Sequence, residues 1–371
     1  MVNLFLAILL LLLMVLAEII YLKYVEKEPV PWREIIFNLN SSHVMTWVGR
    51  GLEVVGFDFV LRHAGLGLVT ELPVVAQWIF TLFAWDLCFY WMHLWHHKYA
   101  FLWAVHVVHH EGEHFSLSLG IRNSWYSSLT ALPFFLPLAV LGVPTEQFFL
   151  LGSLHYFIQF YNHNRVVQKS GWLEYIMVTP AHHRVHHGCN PEYRDKNCGG
   201  TFAIWDKWFG TFQEERADVD IKFGVHHKTP TENPFWANNI PVLKYVFKTT
   251  PPRFFTRVYT KNPRQVSDFL IAIGGFIQFL LLVFYIYQEN KWGGIAEFSL
   301  FVLLLGGTIA IAGLYENYRW GTRLWLFLSV AMLGFLWYFS VFHWAFVLLS
   351  GLFFSHAVWV AGYQFLSVFS K

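Results

Sequence analysis

Histidine is concentrated in the middle of this chain, where thirteen of the nineteen copies fall within residues 93–187. Most of them form three short clusters, at 93–97, 106–110 and 182–187, and His163 stands between the second and the third. Imidazole is the commonest neutral metal ligand in proteins, and residues three or four apart lie on one face of a helix. The spacing therefore predicts helices that present several imidazole nitrogens to a common metal site.

The number of these histidines predicts two metal ions rather than one. The second and third clusters each contain H-x-x-H-H, whose three nitrogens can surround one centre or divide between two. With the pair His93 and His97 they offer eight nitrogens, more than the four ligands of a tetrahedral zinc ion. A nitrogen-rich site without thiolate ligands and with few carboxylates is typical of non-haem iron that works with dioxygen. Zinc-dependent hydrolysis is the alternative chemistry.

The first cluster follows directly on an apolar segment, residues 73–92, which predicts a helix that leaves the membrane at the histidines. Asp86, Tyr90, His93 and His97 recur at helical spacing and therefore share one face. We expect His93 and His97 to bind one metal ion together. Asp86, two turns deeper, is expected to orient an imidazole by accepting its second N–H.

The composition is that of a membrane protein. Of 371 residues, 56% are hydrophobic and 13% are charged, with a mean hydropathy of +0.41, whereas soluble domains carry about a quarter charged residues. A net charge of +2 without a basic stripe argues against a nucleic-acid partner. The three scattered cysteines form neither a disulfide framework nor a C-x-x-C pair, so they are interpreted as ordinary thiols.

Apolar segments recur along the chain and predict an all-α, multi-pass membrane bundle. Residues 3–22 are long enough to span a bilayer and lack the basic start of a signal peptide, so a retained anchor is favoured. Residues 44–70 are interpreted as an interfacial or packed helix, and 126–162, with its three prolines, as a helical hairpin. The tail offers four further apolar segments, at 267–287, 295–314, 324–341 and 343–368.

Basic residues indicate which side of the membrane the histidines occupy. Lys23, Lys27 and Arg33 follow the first segment, and eight more basic residues lie within 222–264. These eight are Lys222, Lys228, Lys244, Lys248, Arg253, Arg257, Lys261 and Arg264. Because cytoplasmic loops are enriched in Lys and Arg, we expect a histidine-rich di-metal cap at the cytoplasmic face. By the number of crossings, Lys371 falls on the same side.

Five motifs follow one another between Asp86 and Phe212. They are D-x-x-x-Y-x-x-H-x-x-x-H from Asp86, W-A-V-H-x-x-H-H from Trp103, T-P-x-H-H-R-V-H-H-G from Thr179, D-K-N-C-G-G-T from Asp195 and W-D-K-W-F-G-T-F from Trp205. In this set the chain resembles the fatty acid hydroxylase/sterol desaturase superfamily of membrane di-iron enzymes. Within it, the chain is most similar to the alkylglycerol monooxygenase branch, which cleaves ether lipids with a reduced pterin. That likeness rests on H-H-x-x-E, F-S-L-S and R-N-S between 109 and 124, and on the hydrophobic tail after 265.

The resemblance implies which residues hold the metal. Eight histidines are the implied iron ligands: His93, His97, His106, His109, His110, His183, His186 and His187. His163, at the family's intermediate histidine position, is expected to be the ninth. His96, His114, His155 and His182 are left out of the ligand set.

Three carboxylates are the candidate catalytic residues. Glu113 resembles an acidic residue that the ether-cleaving branch needs for activity, and its alternative role is that of a solvated loop carboxylate. Asp206 is expected to support the metal site, with a turn or capping role as the alternative. Asp86 joins them because it shares a helical face with His93.

The resemblance also implies four parts of the chain. Residues 1–72 are expected to form an N-terminal membrane anchor with interfacial helices, and 73–221 a di-iron catalytic domain of the fatty acid hydroxylase type. Residues 222–265 are expected to form a basic cytoplasmic linker, and 266–371 the C-terminal transmembrane helices.

The implied activity is the hydroxylation of a lipid C–H bond with dioxygen at two iron ions, with zinc as a replacement ion. Beside an ether oxygen, this reaction leads to ether cleavage. Tetrahydrobiopterin or an electron-donor protein is the expected reductant, and a lipid substrate and the membrane are the expected partners.

A sterol, carotenoid or acyl-chain desaturase or hydroxylase is an alternative on the same site. A zinc-dependent lipid hydrolase and a non-catalytic metal-binding membrane protein are alternatives of another class. The expected location is the bacterial cytoplasmic membrane or the endoplasmic reticulum membrane.

Overall fold

The structure is a computed structural model that describes residues 4–41, 43–229, 231–248, 260–288, 294–339 and 342–365. Arg253, Arg257 and Lys371, which belong to the predicted charge pattern, lie outside the described residues.

The described part of the chain is helical throughout, with isolated β-bridges but no strand. Short 3₁₀ helices occupy Leu117–Ile121 and Gly171–Tyr175. The α-helices are α1 (Leu4–Tyr24), α2 (Trp32–Asn40), α3 (His43–Ala64), α4 (Val74–Lys98), α5 (Ala100–His110), α6 (Ser127–Leu141), α7 (Thr145–Asn162), α8 (Pro180–His187), α9 (Ile204–Phe209), α10 (Pro234–Phe247), α11 (Asp268–Gln288), α12 (Gly294–Tyr315), α13 (Arg319–Tyr338) and α14 (Trp344–Phe365).

Five helices among the described residues, α4 and α11 to α14, are long and apolar enough to cross a membrane. The predicted apolar segments coincide with helices, and the segment 126–162 forms the predicted hairpin, α6 and α7. The all-α, multi-pass membrane fold class is therefore confirmed. The cytoplasmic orientation of the cap stays a prediction.

The chain divides into two compact units. One unit comprises residues 1–44, 230–240 and 249–371, and in it α2 packs against α11 and α12 while α1 packs against α11. The other comprises residues 45–229 and 241–248, and in it α4 contacts α5, α6 and α7. The predicted four-part division of the chain stays a prediction.

Aromatic packing fixes α4 within the second unit. Phe57 of α3 stacks on Phe148 of α7 with ring centroids 4.0 Å apart, and Trp85 of α4 lies 4.7 Å from Phe135 of α6. All four side chains are almost completely buried. Because close-packed rings permit little sliding, this core holds the far end of α4, which carries His93, in one position.

Candidate metal centre

Nine histidines converge in the second unit and form two adjoining groups. The ligand nitrogens of each group lie within 4.8 Å of one another. The five-histidine group consists of His93, His97, His106, His110 and His186. The four-histidine group consists of His109, His163, His183 and His187. The structure thus brings together all nine residues that the sequence and the resemblance suggested as metal ligands.

Helical spacing explains how the two H-x-x-H-H patterns divide between the groups. Residues four apart share a helical face, so His106 and His110 of α5 belong to the five-histidine group. The intervening His109 points to the other group. On α8 the assignment is reversed, because His183 and His187 form the pair and His186 faces the five-histidine group. Each helix therefore contributes ligands to both groups. Of the two arrangements that the sequence left open, the three nitrogens of each H-x-x-H-H pattern divide between two centres.

Backbone carbonyls orient the imidazole rings. Nδ1 of His93 lies 3.0 Å from the carbonyl oxygen of Cys198, and Nδ1 of His186 lies 2.9 Å from that of Lys196. A carbonyl oxygen can only accept a hydrogen bond, so each Nδ1 carries the proton and donates it. The Nε2 atom of each ring then keeps a free lone pair.

The same arrangement occurs in the four-histidine group. His109 donates from Nδ1 to the carbonyl oxygen of Arg122 at 2.7 Å, and His163 donates to that of Gln159 at 2.7 Å. The Nε2 atoms of His109 and His163 nevertheless lie 3.2 Å apart. With both protons on Nδ1, no hydrogen bond can join them, and two lone pairs face each other.

A cation bound between the two Nε2 atoms would explain this contact. Nitrogens that ligate one ion at about 2.1 Å lie roughly 3.0 to 3.4 Å apart. The Nε2 atoms of His97 and His186 are also buried and lack a hydrogen-bond partner among the described residues. The donor set therefore fits two metal ions, one in each group.

Burial keeps these ligands neutral. It lowers the pKa of the seven cluster histidines outside the membrane-spanning helices, that of His109 to about 3. The other six are His106, His110, His163, His183, His186 and His187. Neutral imidazole is the form that binds a metal, so no proton has to leave these rings first.

The region that holds the nine histidines matches one protein family. The family model for fatty acid hydroxylase aligns with residues 78–211. We refer to residues 78–211 as the hydroxylase domain, after the family whose model they match. The resemblance stated from the motifs is thereby confirmed.

Known proteins similar to the chain include alkylglycerol monooxygenases. The Xenopus tropicalis protein is 35% identical over 188 residues, which cover 50% of this chain and 41% of that protein. The human protein is 36% identical over 202 residues, which cover 51% of this chain and 44% of that protein. An ornithine lipid hydroxylase from Rhizobium tropici is 28% identical over 158 residues, which cover 42% of this chain and 47% of that protein. The chain thus spans less than half the length of these relatives. No solved structure matches it.

Asp86 of the hydroxylase domain holds a loop rather than a cluster histidine. Its carboxylate accepts hydrogen bonds from the backbone N–H groups of Thr201 and Phe202, at 2.7 and 3.0 Å, and from Nε1 of Trp205 at 2.9 Å. It also lies 3.2 Å from Nδ1 of His155. The imidazole beside Asp86 is therefore that of His155, which belongs to neither group, and a catalytic role for Asp86 stays a prediction.

Asp206 supports the hydroxylase domain through the backbone. It accepts hydrogen bonds from the N–H groups of Cys198 and Gly199, at 2.7 and 2.8 Å, and from the hydroxyl of Thr211 at 2.6 Å. The carbonyl of Cys198 in turn anchors His93. Asp206 is therefore placed to act on the five-histidine group through one residue, and a catalytic role for it stays a prediction.

Glu113 lies at the surface of the hydroxylase domain. Its side chain is 55% exposed and its carboxylate lies 3.2 Å from Nζ of Lys228. This placement is the one expected for a solvated loop carboxylate. The catalytic role that the resemblance implies for Glu113 stays a prediction.

Sequence reasoning missed a buried ion pair beside the four-histidine group. Glu111 accepts a hydrogen bond from Nη2 of Arg122 at 3.1 Å and another from the backbone of Thr229 at 2.7 Å. Arg122 also donates from Nε to the carbonyl of Val108, and its own carbonyl anchors His109. Both charged side chains are nearly fully buried. The pair therefore fixes the acceptor that orients His109.

Sequence reasoning also overlooked that residues 110–114 read H-E-G-E-H, which matches the zinc-hydrolase pattern H-E-x-x-H. That pattern needs both histidines on one helical face. Here α5 ends at His110, and His114 lies exposed in the loop that follows. Glu111 is engaged by Arg122. The geometry therefore does not support a hydrolase motif.

The three other buried histidines near the centre belong to neither group. His96 has both ring nitrogens engaged, Nδ1 with the carbonyl of Met92 and Nε2 with the hydroxyl of Thr130. His155 is held by Asp86, and His182 packs against Phe212 with ring centroids 5.2 Å apart. Their exclusion from the proposed ligand set agrees with this placement.

We expect the metal-free protein to lose stability as the pH falls below about 6.5. In the unfolded chain the imidazoles take up protons near that value, whereas burial keeps them neutral in the folded chain to a lower pH. The unfolded state then binds more protons, so acidification favours it. The measurement is the thermal midpoint of the metal-free protein in detergent between about pH 7.5 and about pH 5. A midpoint that rises on acidification would contradict the burial of neutral histidines.

Proposed function

We propose that the chain is a membrane-bound di-iron oxygenase that hydroxylates a lipid C–H bond. The observation that carries this proposal is the convergence of nine imidazoles in two groups, inside the hydroxylase domain. Bound iron would supply the activation of dioxygen. The protein relatives support lipid as the class of substrate.

The residues of the centre hold the ions and exclude water. Rings anchored through Nδ1 to the backbone cannot rotate freely, so the nitrogens stay aimed at the ions through a reaction cycle. Eight of the nine side chains are almost inaccessible to solvent, and this burial limits side reactions with water. The rigid, dry donor set is suited to oxidation rather than to hydrolysis.

The position of the centre along α4 suits a lipid substrate. His93 lies about 29 Å beyond the start of α4 at 1.5 Å per residue. The hydrocarbon layer of a bilayer is about 30 Å thick. If α4 enters the membrane at its first residue, the centre lies near the boundary between acyl chains and headgroups. We propose that this boundary is the cytoplasmic one.

We propose an ether lipid as the substrate. Hydroxylation of the carbon beside the ether oxygen uses one dioxygen, two electrons and two protons, and it releases one water. The resulting hemiacetal breaks its C–O bond and gives an aldehyde and an alcohol. A reduced pterin, such as tetrahydrobiopterin, supplies the electrons in this proposal, and an electron-donor protein is the alternative source. The alkylglycerol monooxygenase relatives support this choice.

The second candidate is hydroxylation of an aminolipid without cleavage. It is favoured by the similarity to the ornithine lipid hydroxylase of Rhizobium tropici. Both candidates hydroxylate a C–H bond. They differ in whether that carbon is bonded to an ether oxygen, because only then does the product break apart. The stable product therefore distinguishes them.

The test uses the full chain purified in detergent and reconstituted in lipid nanodiscs. Metal analysis is expected to find two iron ions per chain. With an alkylglycerol, tetrahydrobiopterin and dioxygen, we expect fatty aldehyde to form with matching oxygen consumption. A hydroxylated aminolipid without aldehyde would support the second candidate. Zinc alone, in protein that turns over lipid without oxygen, would overturn the oxygenase proposal.

A further inference from the structure

An exposed aromatic surface lies on the hydroxylase domain, outside the membrane-spanning helices. We call it the aromatic edge, and it consists of Trp172, Leu173, Tyr175, Ile176, Trp208 and Phe209. Trp172 is 69% exposed, Tyr175 is 76% exposed and Trp208 is 67% exposed. Several large apolar side chains that stand exposed together mark an interaction surface.

The two segments of the aromatic edge are joined directly. The backbone N–H of Ala203 donates to the carbonyl of Ile176 at 2.9 Å, and Nζ of Lys207 donates to the carbonyl of Tyr175 at 2.9 Å. The exposed rings of the 3₁₀ helix 171–175 and of α9 therefore belong to one surface.

This surface packs along the middle of α4. Phe202, just before α9, stacks on Phe83 with centroids 4.9 Å apart, and Phe209 lies 4.8 Å from Trp91. Residues 83–91 lie about 14 to 26 Å from the start of α4 at 1.5 Å per residue. That range falls within the roughly 30 Å of a bilayer's hydrocarbon layer.

The aromatic edge continues an exposed apolar face of α4. Val75 is 72% exposed, Ile79 is 54% exposed, and Phe83 and Trp91 are also exposed. On a helix of this length and composition, such side chains face lipid. Phe83 and Trp91 are the same side chains that contact the segment carrying the aromatic edge. The lipid-facing surface thus extends from α4 onto the catalytic domain.

We propose that the aromatic edge inserts into one leaflet of the membrane beside α4. Tryptophan and tyrosine are favoured where acyl chains meet headgroups, and Trp172, Tyr175 and Trp208 provide them. The ammonium group of Lys207, which donates one hydrogen bond to the carbonyl of Tyr175, keeps two further N–H donors for lipid headgroups. The edge leads through residues 177–179 into α8, so the leaflet that covers it adjoins the metal centre. The proposal holds whichever metal the centre binds.

Spin labels test this insertion in the full chain in nanodiscs. Cysteines are introduced singly at Trp172 and Trp208, with Cys88 and Cys189 replaced by alanine and the buried Cys198 retained. Val75, on the exposed face of α4, is the lipid control, and Asp218, 69% exposed and paired with Arg216, is the water control. Each label is measured for collision with oxygen, which concentrates in lipid, and with a water-soluble nickel chelate.

Labels at residues 172 and 208 are expected to collide more with oxygen than with nickel, as at residue 75. The label at residue 218 is expected to show the reverse. If the labels at 172 and 208 behave as at 218, the edge faces water and the proposal is overturned. If they collide with neither reagent, another protein surface or a second copy covers the edge, and the proposal is overturned as well.

Discussion

Replacing His186 by alanine is expected to abolish lipid-dependent oxygen consumption while the chain stays inserted in the membrane. His186 supplies one of five nitrogens in its group, and its ring is already aligned by the carbonyl of Lys196. Its loss opens the group on the side of α8. The measurements are oxygen uptake with lipid and reductant, and the iron content of the purified protein. Iron is expected to fall by about one ion per chain, since a missing ligand weakens only its own site.

The matched control is His182→Ala on the same helix. His182 is as buried as His186 but packs against Phe212 and belongs to neither group. The variant is expected to keep both irons. Full turnover in the His186 variant, or an equal loss of iron in both variants, would contradict the ligand assignment. Size-exclusion chromatography in detergent shows whether each variant is folded.

Replacing Glu111 by glutamine is expected to destabilise the hydroxylase domain by about 3–5 kcal/mol, because it leaves Arg122 buried without its counter-charge. The same change disturbs the carbonyl that anchors His109, so the four-histidine group should lose iron before the domain unfolds. The measurements are the free energy of unfolding in a denaturing detergent and the iron content under mild chelation.

The matched control is Glu113→Gln, two residues away. Glu113 also pairs with a basic residue, Lys228, but both side chains are largely exposed. Exposed pairs contribute about 0–1 kcal/mol, so this variant should unfold almost as the parent does. If the Glu111 variant has the same free energy of unfolding as the Glu113 variant, the buried pair does not stabilise the domain as predicted. Lost turnover with intact iron in the Glu113 variant would support the catalytic role that the resemblance implies for Glu113.

The long apolar helices could be predicted from the sequence because each has a local signal. Apolar length predicted α4 and the four C-terminal helices. Of the three prolines that suggested a hairpin, only Pro144 lies at the break between α6 and α7, whereas Pro133 and Pro137 lie inside α6. The packing of α1 and α2 against α11 could not be predicted in the same way. Those contacts join residues more than two hundred positions apart. Hydropathy shows that a helix has an apolar face but not which other helix that face packs against.

Eight of the nine histidines were accessible to sequence reasoning because their spacing encodes shared helical faces, whereas the isolated His163 was assigned from the family resemblance. Their division into five and four was not, because it depends on how α5 and α8 are rotated toward each other. Asp86 illustrates the same limit. Helical periodicity placed it on the face of His93, but its partners Thr201 and His155 come from distant segments. Glu111 was missed because no spacing rule links it to its partner Arg122, which lies eleven residues further along the chain.

The anchors of the metal ligands have a consequence for how this region can change over evolution. Four rings are held by main-chain oxygens, those of Arg122, Gln159, Lys196 and Cys198. Every amino acid offers that oxygen, so a change of residue type at these positions leaves the acceptor in place. Insertion or deletion of one residue within 195–198 would instead displace two acceptors at once. Apart from Arg122, whose side chain is paired with Glu111, the residues that supply these oxygens should therefore tolerate a change of side chain, whereas a change in loop length should not be tolerated.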